Sequence, residues 1–369
     1  MTMPVIPHQL LPADGRFGCG PSRIRPAQVD ALAALGSTVL GTSHRQQPVR
    51  HLVAQVRQGL ADLLGAPADY QIVLGNGGSS VFWDAAIFSL IDGGAQFAAC
   101  GEFGNKFAAA ATSAPFLGEV EVINAEPGTQ ALPQVRSGVT SYAWAHNETS
   151  TGVLTPVVRP DDSGALVLVD GTSAAGGVAV DLAACDVYYF APQKALGSDG
   201  GLWFAAMSPA ALARIEELSH RWIPSSLSLS AAVASSGKDE TVNTPALATL
   251  VLIAEQVHWL LDKGGLSWAA ARTAASSRLL YDWAESREWA RPFVGRSLSR
   301  SPVVGTIDLA DEIDGKALIA TLRANGIVDV DPYRKLGRNQ LRVGMFPSVP
   351  TADVEALTAC IDYAVERLG

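Results

Sequence analysis

The sequence predicts an α/β protein with a large, mostly parallel mixed sheet flanked by helices, followed by a smaller C-terminal α+β domain. Apolar runs of strand length recur at residues 71–74, 96–100, 120–123, 141–145, 166–169, 187–190 and 202–206, and several alternate with helix-like or glycine-rich stretches. Short buried strands separated by helices are the pattern of a sheet covered on both faces. The chain has 369 residues, more than one simple core usually fills, so a second domain is expected.

The elements follow in order. The first 20 residues, rich in Pro and Gly, read as an irregular arm. Val29, Leu32 and Leu35 recur at helical spacing within 26–35, and Leu52, Val53, Val56, Leu60, Leu63 and Leu64 share one face of a helix over 52–64. The strand at 71–74 runs into the turn Gly75-Asn-Gly-Gly-Ser-Ser80 and an apolar helix over 81–90. Ser208-Pro209 opens a helix, Ser as N-cap and Pro in the first turn. Thr244-Pro245 repeats that grammar before a helix over 246–261, and a further helix covers 266–289. A candidate boundary at 291–302 precedes a strand (303–309), a helix (316–325), two more short strands and a last helix (353–368). The predicted organisation is an arm (1–20), a large domain (21–262) and a small domain (263–369).

Composition narrows the function. Apolar residues make up 48 % and charged residues 17 %, the balance of a well-packed soluble protein. A net charge of -9, from 27 basic against 36 acidic residues, argues against a nucleic-acid partner. An anionic substrate would need a local cluster of cations working against that field. Cys19, Cys100, Cys185 and Cys360 form no CxxC pair and lie at no metal-ligand spacing, so buried free thiols and no metal are expected. The N-terminus lacks the pattern of a signal peptide, and no long uncharged apolar run predicts a membrane span. A cytoplasmic enzyme fits.

Two residues suggest the chemistry. A buried strand ends in Asp170, and an apolar strand runs into Lys194, followed by the Gly-rich turn Gly197-Ser-Asp-Gly-Gly201. Alone, Asp170 reads as a turn former and Lys194 as a loop lysine. Together, a carboxylate and a poorly hydrated lysine at strand ends are what pyridoxal phosphate needs, one on the pyridinium nitrogen and one for the Schiff base. The Gly75–Ser80 turn, otherwise an ordinary strand-to-helix connection, offers close backbone approach and free N–H groups to a phosphate.

The motifs Phe17-Gly-Cys-Gly-Pro-Ser22, Gly41-Thr-Ser-His-Arg45, Gly77-Gly-Ser-Ser80, His146-Asn-Glu-Thr149, Asp170-Gly-Thr-Ser173, Ala191-Pro-Gln-Lys194, Val242-Asn-Thr-Pro245 and Arg342-Val-Gly-Met-Phe-Pro347 span nearly the whole chain. In order and separation they resemble the phosphoserine aminotransferase family, class V, fold-type I pyridoxal-phosphate enzymes. The resemblance implies Lys194 as the Schiff-base lysine and Asp170 as the pyridinium partner. Gly78, Ser79, Ser80 and Gln193 would surround the cofactor phosphate, Thr149 the ring hydroxyl, and Phe103 the ring face. Asn243 and Thr244 would reach the phosphate in the other subunit of a homodimer with shared active sites. Arg342 would clamp the substrate α-carboxylate, and His44, Arg45 and Arg334 the distal anion. Three positions depart from the family: Phe103 stands in a Gly-Glu-Phe rather than a Gly-Tyr-Trp-like context, Ser79 stands where many members carry arginine, and Tyr333 where a histidine is frequent. Lys335 and Arg338 read as solvated loop charges.

The reaction implied is amino transfer from L-glutamate to 3-phosphohydroxypyruvate, giving O-phospho-L-serine and 2-oxoglutarate, in serine biosynthesis; the family can also serve pyridoxine biosynthesis. The alternatives are serine–glyoxylate aminotransferase chemistry, a cysteine desulfurase, for which neither Cys185 nor Cys360 looks suited, and a catalytically silent scaffold on the same fold.

Overall fold

The computed structural model describes residues 3–160 and 164–368. In chain order the strands are β1 (Gln71–Asn76), β2 (Gly94–Ala99), β3 (Val120–Asn124), β4 (Val139–Ala145), a short antiparallel pair β5 (Asn147–Glu148) and β6 (Val153–Leu154), β7 (Leu166–Asp170), β8 (Val187–Phe190), β9 (Leu202–Met207), β10 (Ala290–Pro292), β11 (Val304–Leu309) and β12 (Gln340–Gly344). The helices are α1 (Pro26–Val39), α2 (Gln47–Leu64), α3 (Ser79–Ser89), α4 (Glu102–Thr112), α5 (Pro209–Glu217), α6 (Leu229–Ser236), α7 (Leu247–Asp262), α8 (Gly265–Glu285), α9 (Gly315–Ala324) and α10 (Thr351–Leu368).

Among the described residues, seven strands form one sheet in the order β1-β9-β8-β7-β4-β2-β3. Only β9 runs against its neighbours β1 and β8; the other pairings are parallel. The carboxyl ends of β1, β2, β3, β4, β7 and β8 therefore lie along one edge, where sheets of this kind bind ligands. Side chains alternate across the sheet: Tyr188 and Phe190 of β8 enter the core under α2 and α7, whereas Val187 and Tyr189 enter the core under α3, α4, α5 and α6. Burial on both faces explains why these strands read as continuous apolar runs.

The small sheet, in the order β10-β11-β12, is antiparallel. Its core, built with α8, α9 and α10, also takes in Ile6 and Phe17 of the arm. The four cysteines are buried and free. Among the described residues no helix is long and apolar enough to cross a membrane.

Some elements differ from the expectation. Ser208 caps α5 through the amide of Ala211, but Thr244 does not cap α7, which starts after Ala246, because Thr244 is engaged elsewhere, as described below. Helix α8 ends at Glu285, leaving room for the edge strand β10. Of the two strands expected after α9, only β12 forms. Val328 makes a single parallel bridge to Arg16, and the next residue, Asp329, turns the backbone left-handed at φ 64°, which ends an extended segment.

Candidate active site

One cavity of about 300 Å³ opens at the carboxyl edge of the large sheet. Each adjoining strand delivers part of its lining. The turn after β1 brings Gly78, Ser79 and Ser80; the start of α4, after β2, brings Phe103; β4 leads to Asn147 and Thr149; β7 ends in Asp170, with Thr172 beyond; and β8 leads to Gln193 and Lys194. The turn is tight because Gly77 adopts φ 107°, a region that suits glycine. A Cβ on Gly78 would meet nothing within 4 Å, so its backbone faces open space.

Lys194 is half-buried, with its amine enclosed at the cavity wall. Its amine donates to the Cys19 carbonyl at 3.0 Å, and a Cβ on Gly20 would come within 2.0 Å of it, so glycine at 20 makes room for the lysine. Burial, reinforced by the charge of Arg342, lowers the amine below the usual lysine range. Asp170 is 8 % exposed. Burial pushes its carboxyl above the usual range, while hydrogen bonds from Thr172 and Tyr189 oppose that shift; the Thr172 amide donates to Oδ1 at 2.8 Å.

Polar contacts tie the strand ends together. The Thr149 hydroxyl donates to Ser173 Oγ at 2.9 Å, as does the Asn147 amide at 2.8 Å, and the Ser173 hydroxyl donates to the Asn147 carbonyl. Ser79 and Thr172 share a hydrogen bond of 2.6 Å. Buried Glu148 accepts from the amides of Phe103 and Gly104, each at 3.1 Å, capping α4 and fixing where Phe103 stands.

Of the arginines, Arg342 is half-buried on β12 and donates to the Thr149 carbonyl at 3.2 Å. Its guanidinium lies 5.3 Å from the Tyr333 ring centroid, and its Nε has no partner among the described residues. Arg334 is exposed. His44, Arg45, Asn243 and Thr244 do not line this cavity. They gather outside it: Thr244 Oγ1 lies 3.2 Å from His44 Nδ1, the Thr244 carbonyl accepts from the Asn76 side chain, and Arg45 pairs with Glu240 at 2.9 Å. Lys335 and Arg338 are exposed, as expected of loop charges, and also pair with Glu102 and Asp308 respectively; the first pair joins the loop before β12 to the start of α4.

The residues not assigned from the sequence are instructive. Asn147 and Thr172, which line the cavity, belong to the His146–Thr149 and Asp170–Ser173 motifs. Trp83, Lys106 and Tyr189 had no local signal, since helix or strand packing is the ordinary use of such positions.

This arrangement fits pyridoxal 5′-phosphate. A buried carboxylate suits a cationic ring nitrogen, an enclosed amine suits an aldehyde, and an open glycine turn suits a phosphate. Gln193 Oε1 and Asn147 Oδ1 are buried polar atoms without partners among the described residues, which a polar ligand would satisfy.

Known proteins agree with the geometry. Residues 20–328 match the family described as aminotransferase class-V. A phosphoserine aminotransferase of Rhodococcus jostii is 57 % identical over 369 residues, covering 99 % of each chain. The crystal structure of a phosphoserine aminotransferase from Cytophaga hutchinsonii superposes with a TM-score of 0.88 at 20 % identity, over 96 % of this chain and 100 % of that one. The phosphoserine aminotransferase of Bacillus circulans subsp. alkalophilus gives 0.84 at 21 % identity, over 96 % and 99 %. A cavity suited to the cofactor and a family match over most of the length lead to one conclusion: the chain belongs to the class-V aminotransferase family.

Proposed function

We propose that the chain transfers the amino group of L-glutamate to 3-phosphohydroxypyruvate, giving O-phospho-L-serine and 2-oxoglutarate in serine biosynthesis, with pyridoxal 5′-phosphate as cofactor. One observation carries the reading: Lys194 and Asp170, from the ends of adjacent strands, share a cavity with the Gly78–Ser80 turn. The name of the relative at 57 % identity supports the substrate pair.

When bound, the cofactor supplies an aldehyde that links to amines and a protonated ring that draws electrons from the substrate Cα. Lys194 would hold the cofactor through its amine and would move the proton at the substrate Cα. Its burial favours the neutral amine, the form that attacks and accepts protons. Asp170 keeps the ring nitrogen charged. Phe103 would cover a ring face, Thr149 would serve the ring hydroxyl, and Gly78, Ser79, Ser80 and Gln193 would hold the phosphate.

Arg342 binds the α-carboxylate common to both substrates, its unpartnered Nε and a terminal nitrogen forming the fork that matches a carboxylate. His44, Arg45 and Arg334 hold the distal carboxylate or phosphate. Because His44, Arg45, Asn243 and Thr244 lie together outside their own chain's cavity, we read them as serving the site of a second copy in a twofold homodimer. A cytoplasmic location belongs to the same reading.

The test is a half-reaction. The protein is mixed with O-phospho-L-serine, with L-glutamate or with L-serine, and the absorbance of the lysine-linked cofactor is followed. The first two should discharge it quickly and L-serine poorly. Equal rates with serine and phosphoserine would favour serine–glyoxylate chemistry.

A further inference from the structure

The phosphate end of the cavity is short of positive charge. The Gly78–Ser80 turn offers backbone N–H groups, two hydroxyls and the start of α3. A phosphate ester carries about -1.5 to -2 charges near neutral pH, whereas a helix N-terminus is equivalent to roughly half a positive charge. Neutral donors alone would leave much of that charge unbalanced in a partly dehydrated site, in a chain whose net charge is already -9.

Among the described residues two cations line the cavity, Lys194 and Lys106. Lys194 belongs to the aldehyde end. Lys106 lies on α4, three residues after Phe103 and on the same helix face, and its amine is 5.7 Å from the Phe103 ring centroid.

Helices α3 and α4 pack side by side, both starting at the carboxyl edge of the sheet. Trp83 of α3 stacks on Phe107 of α4 with centroids 5.9 Å apart and planes 12° apart. That contact, one turn in, registers the helices so that Phe103 and Lys106 line the same cavity as Ser79 and Ser80. Lys106 is 51 % exposed and paired with Glu102 at 3.2 Å. Glu102 is held by Lys335 as well, so it keeps a cationic partner when Lys106 turns away.

We propose that Lys106 is the cation that binds the cofactor's phosphate, completing the cradle formed by the Gly78–Ser80 turn. The inference rests on reading the cavity as the pyridoxal-phosphate site, and it explains how a cradle with serine at position 79 neutralises a dianion. Lys106 reaches the phosphate from a neighbouring helix, and Glu102 and Lys335 form the pair that releases it.

The experiment compares two ligands that differ only in the phosphate. The full-length chain, stripped of cofactor, is titrated with pyridoxal 5′-phosphate and with pyridoxal, following absorbance of the lysine-linked ring, for the unsubstituted chain, Lys106→Met and Lys106→Arg. Losing a charge-assisted contact should weaken pyridoxal 5′-phosphate about ten- to hundredfold in Lys106→Met, leave pyridoxal unchanged, and be largely rescued in Lys106→Arg. Thermal unfolding without cofactor should be the same for all three. Unchanged affinity for pyridoxal 5′-phosphate in Lys106→Met would overturn the inference while leaving the cofactor site intact. So would an equal loss for both ligands, or a rise confined to the KM for phosphoserine. If the unsubstituted chain bound neither ligand, the reading of the cavity would fail and Lys106 with it.

Discussion

The indole N–H of Trp83 donates to the Tyr189 hydroxyl at 3.0 Å, and Tyr189 of β8 stands directly across the strand pair from Asp170 of β7. Three buried side chains, from α3, β8 and β7, are thus neighbours, the last being the acid proposed for the ring nitrogen. Burial alone favours the neutral acid; donors aimed at the carboxylate favour its ion. Burial leaves the Asp170 carboxyl above its ordinary range, and the Thr172, Tyr189 and Trp83 side chains oppose that rise.

Replacing Tyr189 with Phe should therefore lower kcat with phosphoserine by about ten- to hundredfold, the size expected for a hydrogen bond to a buried charge. KM should change little, since Tyr189 does not line the main cavity. Steady-state kinetics would check it; an unaltered kcat would reduce the Trp83–Tyr189 contact to packing.

Lys194→Ala should abolish turnover. Borohydride reduction of the native protein followed by peptide mapping should yield one modified peptide, containing residue 194, and none in the variant. A modified peptide elsewhere would overturn the assignment.

Arg342→Ala should raise KM for both glutamate and phosphoserine about tenfold or more, because the α-carboxylate is common to both and a bidentate charge-assisted pair is lost. Arg45→Ala should instead affect the distal-anion contact most. Unchanged half-saturation in Arg342→Ala would remove that residue from the site.

Sharing of sites between copies predicts complementation. Lys194→Ala and Arg45→Ala chains, unfolded together in equal amounts and refolded, should recover about one quarter of native sites, since half of random dimers are mixed and each has one intact site. Activity no greater than that of the separate variants would argue for independent sites.

His146 is buried, with Nδ1 3.0 Å from the Tyr188 hydroxyl, and burial lowers its pKa from 6.5 to about 4. Below pH 6.5 the unfolded chain takes up a proton that the folded one refuses. Stability should thus fall as pH drops from 6.5 to about 4, by up to roughly 3 kcal/mol. Denaturant titrations across that window should show the slope, and His146→Gln should flatten it.

Much of this was legible in the sequence because it is recorded locally. A strand buried on both faces must be apolar throughout, so the runs ending at Asp170 and leading to Lys194 announced the parallel sheet, and a Gly-rich turn before a helix marked the turn that lines the cavity. What the sequence by itself determined is the order of those parts along the chain and the chemistry each can do. Tertiary structure alone decided which parts meet. The pairing of β7 with β8 brings Asp170 beside Lys194, the stacking of Trp83 on Phe107 aligns α3 with α4 and sets Lys106 at the cavity, and the withdrawal of Thr244 toward His44 and Asn76 cancels a cap its sequence invites. The reason is physical: backbone preference and apolar periodicity act over a few residues, whereas the neighbours of a side chain on another helix or strand are set by packing between segments far apart in the chain.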